Sequence, residues 1–175
     1  MREQQAGWEV AMEHEKEKAI LEILEQDART TPEQIAAMLG LEVEQVRQAI
    51  RRLETAGIIR RYKTVIDWDR FGEEQVFAFI DVKVSPAREV GFDDVAERIY
   101  RFPQVHAVYL VSGDHDLRVI VSGRTMKEIA AFVAERLAPL DRVQATYTQF
   151  VLKRYKEDGE VYAEAEPDRR LVVAP

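Results

Sequence analysis

The stretch from Gly40 to Gly57, GLEVEQVRQAIRRLETAG, constrains this chain more than any other. Val43, Val46, Ile50 and Leu53 recur at helical spacing and line one stripe of an amphipathic helix. Glu44, Arg47, Gln48 and Arg51 fall on the far side, with Gln45 and Arg52 at its edge, and Gly57 stands where a helix stops. Just upstream, Thr31 caps a shorter helix with Pro32 at its first position and Ile35 and Leu39 facing inward. Gly40 separates the two. Helix, glycine turn, and a second helix with an outward row of Arg and Gln is the layout of a helix-turn-helix reader of double-stranded DNA.

Charge agrees with that layout locally rather than globally. The chain of 175 residues has a net charge of −7, a poor match to nucleic acid as a whole. The segment from Glu42 to Lys63 nonetheless carries a net +3, from Arg47, Arg51, Arg52, Arg60, Arg61 and Lys63 against Glu42, Glu44 and Glu54. The positive charge is thus segregated onto the reader, where it bears on phosphate binding. A solvated helix face is the plain alternative for a lone charge run. The capped helix and the turn in front of it favour DNA.

The absence of cysteine excludes disulfides and thiolate metal sites. The N-terminus has no apolar core of signal-peptide length, and no stretch approaches the roughly 20 apolar residues that span a bilayer. A cytoplasmic protein with no membrane partner is expected.

In chain order, residues 1–14 read as a polar extension, either helical or frayed, with Trp8 and Met12 as a candidate dimer contact. Residues 15–63 form the helix-turn-helix domain, whose first helix, Glu15 to Gln26, turns Ile20, Ile23 and Leu24 inward. Three short helices make a core too small to be very stable alone, which predicts support from the rest of the chain or from a partner. The β-rich run Ile58 to Ile66 reads as a strand-like connector with Arg60, Arg61 and Lys63 available to phosphates, and the pattern breaks at Asp67 to Gly72. Residues 64–75 are the linker, 76–154 a second domain, and 155–175 an acidic tail. The tail's short apolar run, Leu171 to Val173, suits either a disordered tail or an edge strand added to a neighbour.

The second domain alternates strands at 76–84, 105–111, 117–122 and 143–152 with helices at 92–100 and 125–137. Phe92, Val95 and Ile99 face inward on one helix, and Met126, Ile129, Val133 and Leu137 on the other. The order βαββαβ is the ferredoxin-like arrangement, so the fold class is α+β, a winged-type helix-turn-helix joined to a ferredoxin-like domain. Two helices cover one sheet face. Val76, Ala78, Ile80, Val82 and Val84 line one face of the first strand, while Phe77 and Phe79 begin the other. Val105, Ala107, Tyr109 and Val111 are expected to share a face of the second strand, and in the last strand Phe150 and Leu152 oppose Tyr147 and Val151. Apolar residues on both faces call for a second copy of the sheet, hence a homodimer, which also suits a palindromic DNA site.

At this point the chain resembles the leucine-responsive regulatory protein / AsnC family, the feast/famine regulators, over roughly residues 15 to 155. The reader pattern lies in Gly40-Leu41, Val46, Ile50, Arg52-Leu53-Glu54 and Gly57-Ile58-Ile59. The second-domain pattern lies in Pro103-Gln104-Val105, in Val111-Ser112-Gly113-Asp114-His115-Asp116 and in the helix from Thr125. Glu42 stands where the family usually has Ser or Thr, and Ala49 where it often has Arg, so base reading does not carry over in detail. The resemblance implies a transcription regulator whose second domain dimerises through its sheets, assembles further into a tetramer or octamer, and binds a small effector, an amino acid, in clefts between dimers.

Expected DNA contacts are Thr31, Gln45, Arg47, Gln48, Arg51, Arg52, Arg60, Arg61 and Lys63, with Arg suited to guanine and Gln to adenine. The resemblance places the effector near Ser112, Gly113, Asp114, His115 and Asp116. There Asp114 or Asp116 can hold an ammonium, and backbone N–H groups around Gly113 can hold a carboxylate. Thr146, Thr148 and Gln149 offer neutral hydrogen bonds nearby. A simple hairpin turn is the bland alternative. With no HExxH pair, Cys/His cluster, phosphate loop or GxSxG elbow, no metal, cofactor or enzymatic activity is expected. Two other classes are weighed. One is a tetrapyrrole (haem-precursor) decarboxylase of the same architecture, with His106, His115 and Arg118 in the chemical roles. The other is a DNA-free amino-acid sensor.

Overall fold

The computed structural model describes residues 2–85 and 91–162, with side chains from Ala11 onward, and the chain separates into two units, Met1–Val65 and Ile66–Pro175. The first unit begins with α1, Arg2–Gln26, a single helix of 25 residues. The expected boundary between an extension and a first bundle helix therefore falls inside one helix, because the Glu-, Gln- and Lys-rich lead-in is made of good helix formers without proline. Of the candidate dimer contact, the Trp8 side chain lies outside the described residues and Met12 is exposed.

Helix α2, Pro32–Leu39, starts at a capping box: the Thr31 hydroxyl accepts from the Gln34 N–H (3.3 Å), and Gln34 Oε1 accepts from the Thr31 N–H (2.8 Å). It stops at Gly40, whose φ of 64° is left-handed, and α3, Val43–Thr55, follows. Ile20, Leu24, Ile35, Ala36, Val46 and Ala49 form one small core against which Ile50 and Ile59 pack, and Leu53 is buried as well. Ala49 thus joins the inward stripe. The run Ile58 to Ile66 forms no strand. Its β-branched residues favour extended backbone, but a ladder needs a partner, and none lies among the described residues of this unit. Ile58, Tyr62, Val65 and Ile66 remain exposed.

The second unit opens with the short helix α4, Trp68–Phe71, where only a break was expected. Asp67 caps it by accepting from the Arg70 N–H at 3.1 Å. Then come β1 (Val76–Val84), α5 (Asp93–Tyr100), β2 (Val105–Leu110), β3 (Leu117–Gly123), α6 (Met126–Phe132) and β4 (Val143–Phe150). The sheet is antiparallel with order β2-β3-β1-β4, the ferredoxin-like arrangement. Helix α6 runs on as a π-helical turn, Val133–Leu137, closed by the Ala138 N–H on the Val133 carbonyl at 2.8 Å. Ile129, Phe132 and Leu137 face the core, whereas Met126, in the first turn, is exposed.

One sheet face packs on the helices through Ala78, Ile80, Val82, Leu117, Val119 and Val121, each 1% exposed or less. On the second strand the expected alternation fails at a bulge between Val105 and Ala107. Val105 pairs with Val121 on the covered face, while Ala107 and Tyr109 pair with Ile120 and Arg118 on the open one, because the extra residue shifts the period of two. Within the expected tail, β5 (Lys156–Glu157) and β6 (Glu160–Val161) form a hairpin turned by Asp158-Gly159, both at positive φ. Residues 163–175, with the Leu171 to Val173 run, lie outside the described residues.

Candidate functional site

On α3, Glu44, Arg47, Gln48 and Arg51 form one exposed row, as helical spacing requires. Their chemical states differ. Arg47 is ion-paired with Glu33 of α2, and Gln48 Nε2 donates weakly to Glu44 Oε1 at 3.4 Å. Hydrogen bonding by its own backbone amide, then by Arg47, holds the Glu33 carboxyl below the usual carboxylate range. Arg51 is exposed and makes no ion pair among the described residues. The same is true of Arg60 and Arg61 beyond the helix, and Lys63 is exposed.

Three of the expected DNA contacts have structural work. The Thr31 hydroxyl is committed to its cap. Gln45 Oε1 accepts from the Glu42 N–H at 3.4 Å. Arg52 turns to α1, where its guanidinium engages Glu17 (Nε 3.2 Å, Nη2 3.0 Å) and Glu13. It clamps α3 onto the first helix.

The turn from Ser112 to Asp116 joins β2 to β3. The Val111 N–H closes it on the Asp116 carbonyl (2.9 Å), and Gly113 sits at φ 127°. Asp116 is bound into the sheet. Its N–H donates to the Val82 carbonyl (3.1 Å), its Oδ2 accepts from the Val84 N–H (2.8 Å), and Lys83 Nζ stands 3.5 Å away. Of the two candidate acids, Asp116 therefore anchors the turn. Asp114 is exposed, with no hydrogen bond or ion pair among the described residues. Ser112 is exposed and His115 half-buried.

The register separates the three polar residues grouped on the last strand. Thr146 and Thr148 pair with Val82 and Ile80 on the helix-covered face, whereas Gln149 pairs with Phe79 on the open face. A period of two cannot bring Thr148 and Gln149 to one site.

The open face holds a group that composition alone does not reveal. Asp81 is 5% exposed at its centre. Arg118 donates to it through Nε (2.7 Å) and Nη2 (3.0 Å), and Gln149 Nε2 adds a third bond at 3.1 Å. The Arg118 hydrogen bonds hold the Asp81 carboxyl below its ordinary range despite burial. An acid interrupting the apolar run Val76 to Val84 was the available signal, but its partner follows only from strand register. At the edge of the sheet His106 Nε2 lies 2.6 Å from Ser122 Oγ, beside Phe77. Arg154 is held between the rings of Phe77 (5.1 Å) and Tyr162 (4.5 Å) and paired with Asp69 (2.8 Å) and Glu157 (3.1 Å), which fastens the β5–β6 hairpin and α4 to the sheet.

Comparison with known proteins covers both units. The profile of the Lrp/AsnC ligand binding domain matches residues 77–161, and that of a winged helix-turn-helix DNA-binding domain matches residues 13–60. The chain is 49% identical over 162 residues to YugG, an uncharacterized HTH-type transcriptional regulator of Bacillus subtilis, covering 92% of this chain and 98% of that protein. It is 30% identical to LrpA of Pyrococcus abyssi, over 83% of this chain and all of that protein. Among solved structures, a transcriptional regulator of Neisseria meningitidis in complex with L-methionine superposes with a TM-score of 0.69 at 25% identity, covering 81% of this chain and 91% of that one.

Proposed function

The chain belongs to the Lrp/AsnC family of helix-turn-helix transcriptional regulators, and on that premise we propose that it is a homo-oligomeric, effector-responsive repressor or activator of genes of amino-acid metabolism. The observation that carries the reading is the exposed α3 row of Arg47, Gln48 and Arg51 with Arg60 and Arg61 beyond it, a basic surface on an otherwise acidic chain. The row enters the major groove. Arg47 exchanges Glu33 for DNA, an inexpensive exchange because the pair is solvent-exposed. Arg60, Arg61 and Lys63 add phosphate contacts.

The open sheet faces of two copies pack together, and the dimers assemble further into a tetramer or octamer. The effector lies against the Ser112 to Asp116 turn, with Asp114 taking its ammonium and the Gly113 backbone its carboxylate. The L-methionine complex of the Neisseria relative makes amino acids the ligands to test first. An effector that favours one assembly resets the spacing of the readers. Among the described residues no helix is long and apolar enough to cross a membrane, and the place of action is the cytoplasm, with the DNA.

The test joins two assays: a thermal-shift screen against the twenty amino acids, and fluorescence-anisotropy titration of genomic fragments selected for binding. Arg47→Ala with Arg51→Ala weakens DNA binding and flattens its log–log salt slope by about 2. An unchanged slope removes those residues from the interface. Asp114→Ala abolishes the effector's thermal shift and leaves DNA binding intact. A response that survives moves the site elsewhere. The tetrapyrrole reading is disfavoured by register. His106 sits beside Ser122 at one end of β3, His115 lies in the turn at the other, and Arg118 is committed to Asp81.

A further inference from the structure

The open sheet face carries one continuous polar line from edge to edge, while its other polar groups, Lys83, Gln149 and Ser122, stand singly in their rows. Tyr109 of β2 pairs with Arg118 of β3, Arg118 with Asp81 of β1, and Asp81 with Tyr147 of β4. The four residues therefore make a continuous Tyr–Arg–Asp–Tyr row straight across the sheet. The next row in one direction is Ala107, Ile120, Phe79 and Gln149, apolar but for the last. We infer that this polar row is the register and selectivity key of the homodimer: it admits a second copy of the same face in one alignment and discriminates against sheets that lack it. The inference rests on the sheet-to-sheet dimer proposed above.

The argument is one of hydrogen-bond satisfaction. A guanidinium has five N–H donors. Asp81 takes one from Nε and one from Nη2 of Arg118, so three remain. The Arg118 side chain is 47% exposed, and water serves those donors while the face is open. The Asp81 side chain, at 7% exposure, is already enclosed by Arg118 and Gln149. Covering the face strips the water from Arg118 but leaves its ion pair intact. A covering surface must then supply acceptors, since a buried cationic donor without one is heavily penalised.

The face supplies them itself. Tyr109 and Tyr147 are 54% and 59% exposed, and their hydroxyls make no hydrogen bond among the described residues. The row holds one carboxylate and one guanidinium, so two copies meet without net like charge. A two-fold interface presents the row to itself, which is what a self-complementary patch requires. Successive rows on one face are about 6.6 Å apart along the strands, so a slip of one row sets Arg118 against Ile120 and Phe79 of the partner in one direction, and against the like charge of Lys83 in the other. That misalignment is excluded by chemistry rather than by shape.

The test uses the full chain and a variant with the row made apolar: Tyr109→Phe, Asp81→Leu, Arg118→Met and Tyr147→Phe together. Two differently tagged chains, wild type and variant, are mixed, denatured, refolded and read by native mass spectrometry. Each is expected to pair with itself, and the mixed dimer is expected to fall to about one tenth of dimers, against about one half for indifferent pairing. Mixed dimer at one half, with both chains dimeric, overturns the inference. A wild-type chain that is monomeric by sedimentation overturns the dimer reading beneath it, a separate result. Should the fourfold variant not fold, Tyr109→Phe with Tyr147→Phe is the second measurement. It keeps the ion pair but removes the acceptors, and raises the dimer dissociation constant by about tenfold or more. An unchanged constant overturns the inference equally.

Discussion

Two arginines, Arg52 and Arg118, do opposite things with the same kind of partner. In the helical unit Arg52 grips Glu13 and Glu17 at the surface, with half of its side chain and half of Glu13 in water. In the sheet unit Arg118 grips an aspartate that water scarcely reaches. Exposed pairs are worth little individually and can be traded for another anion, such as a phosphate. A pair whose acid is enclosed cannot be traded, because removing the base leaves a carboxylate in a poor solvent. The reader unit is therefore built from exchangeable contacts over a small core, and the sheet unit from fixed ones over a large core.

The contrast can be broken at several strengths. Ile80→Ala, at the centre of the covered sheet face, is expected to cost about 3–5 kcal/mol by calorimetry. Ile35→Ala should instead abolish DNA binding while the sheet unit keeps its own transition. Next comes the triple change Arg51→Ala, Arg60→Ala, Arg61→Ala. It should lower DNA affinity about a hundredfold and reduce the salt slope by about 2 to 3 without moving the melting temperature. Loss of stability in that variant would place those side chains among the fixed contacts.

Acid titration sharpens the same contrast. Asp81 has its folded pKa depressed, so the pair's contribution is present above the unfolded value of about 4 and is lost as pH falls below it toward the folded value. Asp81→Asn should lower stability at pH 7 and flatten the acid limb of the stability curve below about pH 4, measured by urea denaturation. A parallel acid limb in the variant would mean that Asp81 contributes nothing to it. The smallest effect belongs to Arg52→Ala. Its two exposed pairs predict a loss of no more than about 1 kcal/mol of stability.

The parts legible in the sequence were those written in local chemistry. Thr31-Pro32 and Gly40 mark the ends of α2 by cap, fixed φ and left-handed backbone, all decided within a few residues. The strands and helices of the second unit follow from periods of two and 3.6. What depended on a distant partner was not legible. Ile58 to Ile66 has strand composition but no strand to bond among the described residues. The bulge after Val105 moves Ala107 and Tyr109 to the open face, and nothing in VHAVYL announces it. Thr146, Thr148 and Gln149 looked like one group until β1 fixed which face each takes. Asp158-Gly159 was legible as a tight hairpin turn and was absorbed into an acidic tail. Asp81 and Arg118 are 37 residues apart, joined only by the register of β1 on β3.

The π-helical turn at Val133–Leu137 bears on how chains of this kind can diverge. Its closing bond spans five residues where an α-turn spans four, so the helix accommodates one residue beyond the regular count while Leu137 stays fully enclosed. Removing a single residue here would restore the α-turn and return the same leucine to the same place. Length changes of one residue should therefore collect at this turn, inside a helix, rather than in the loops where insertions and deletions usually gather.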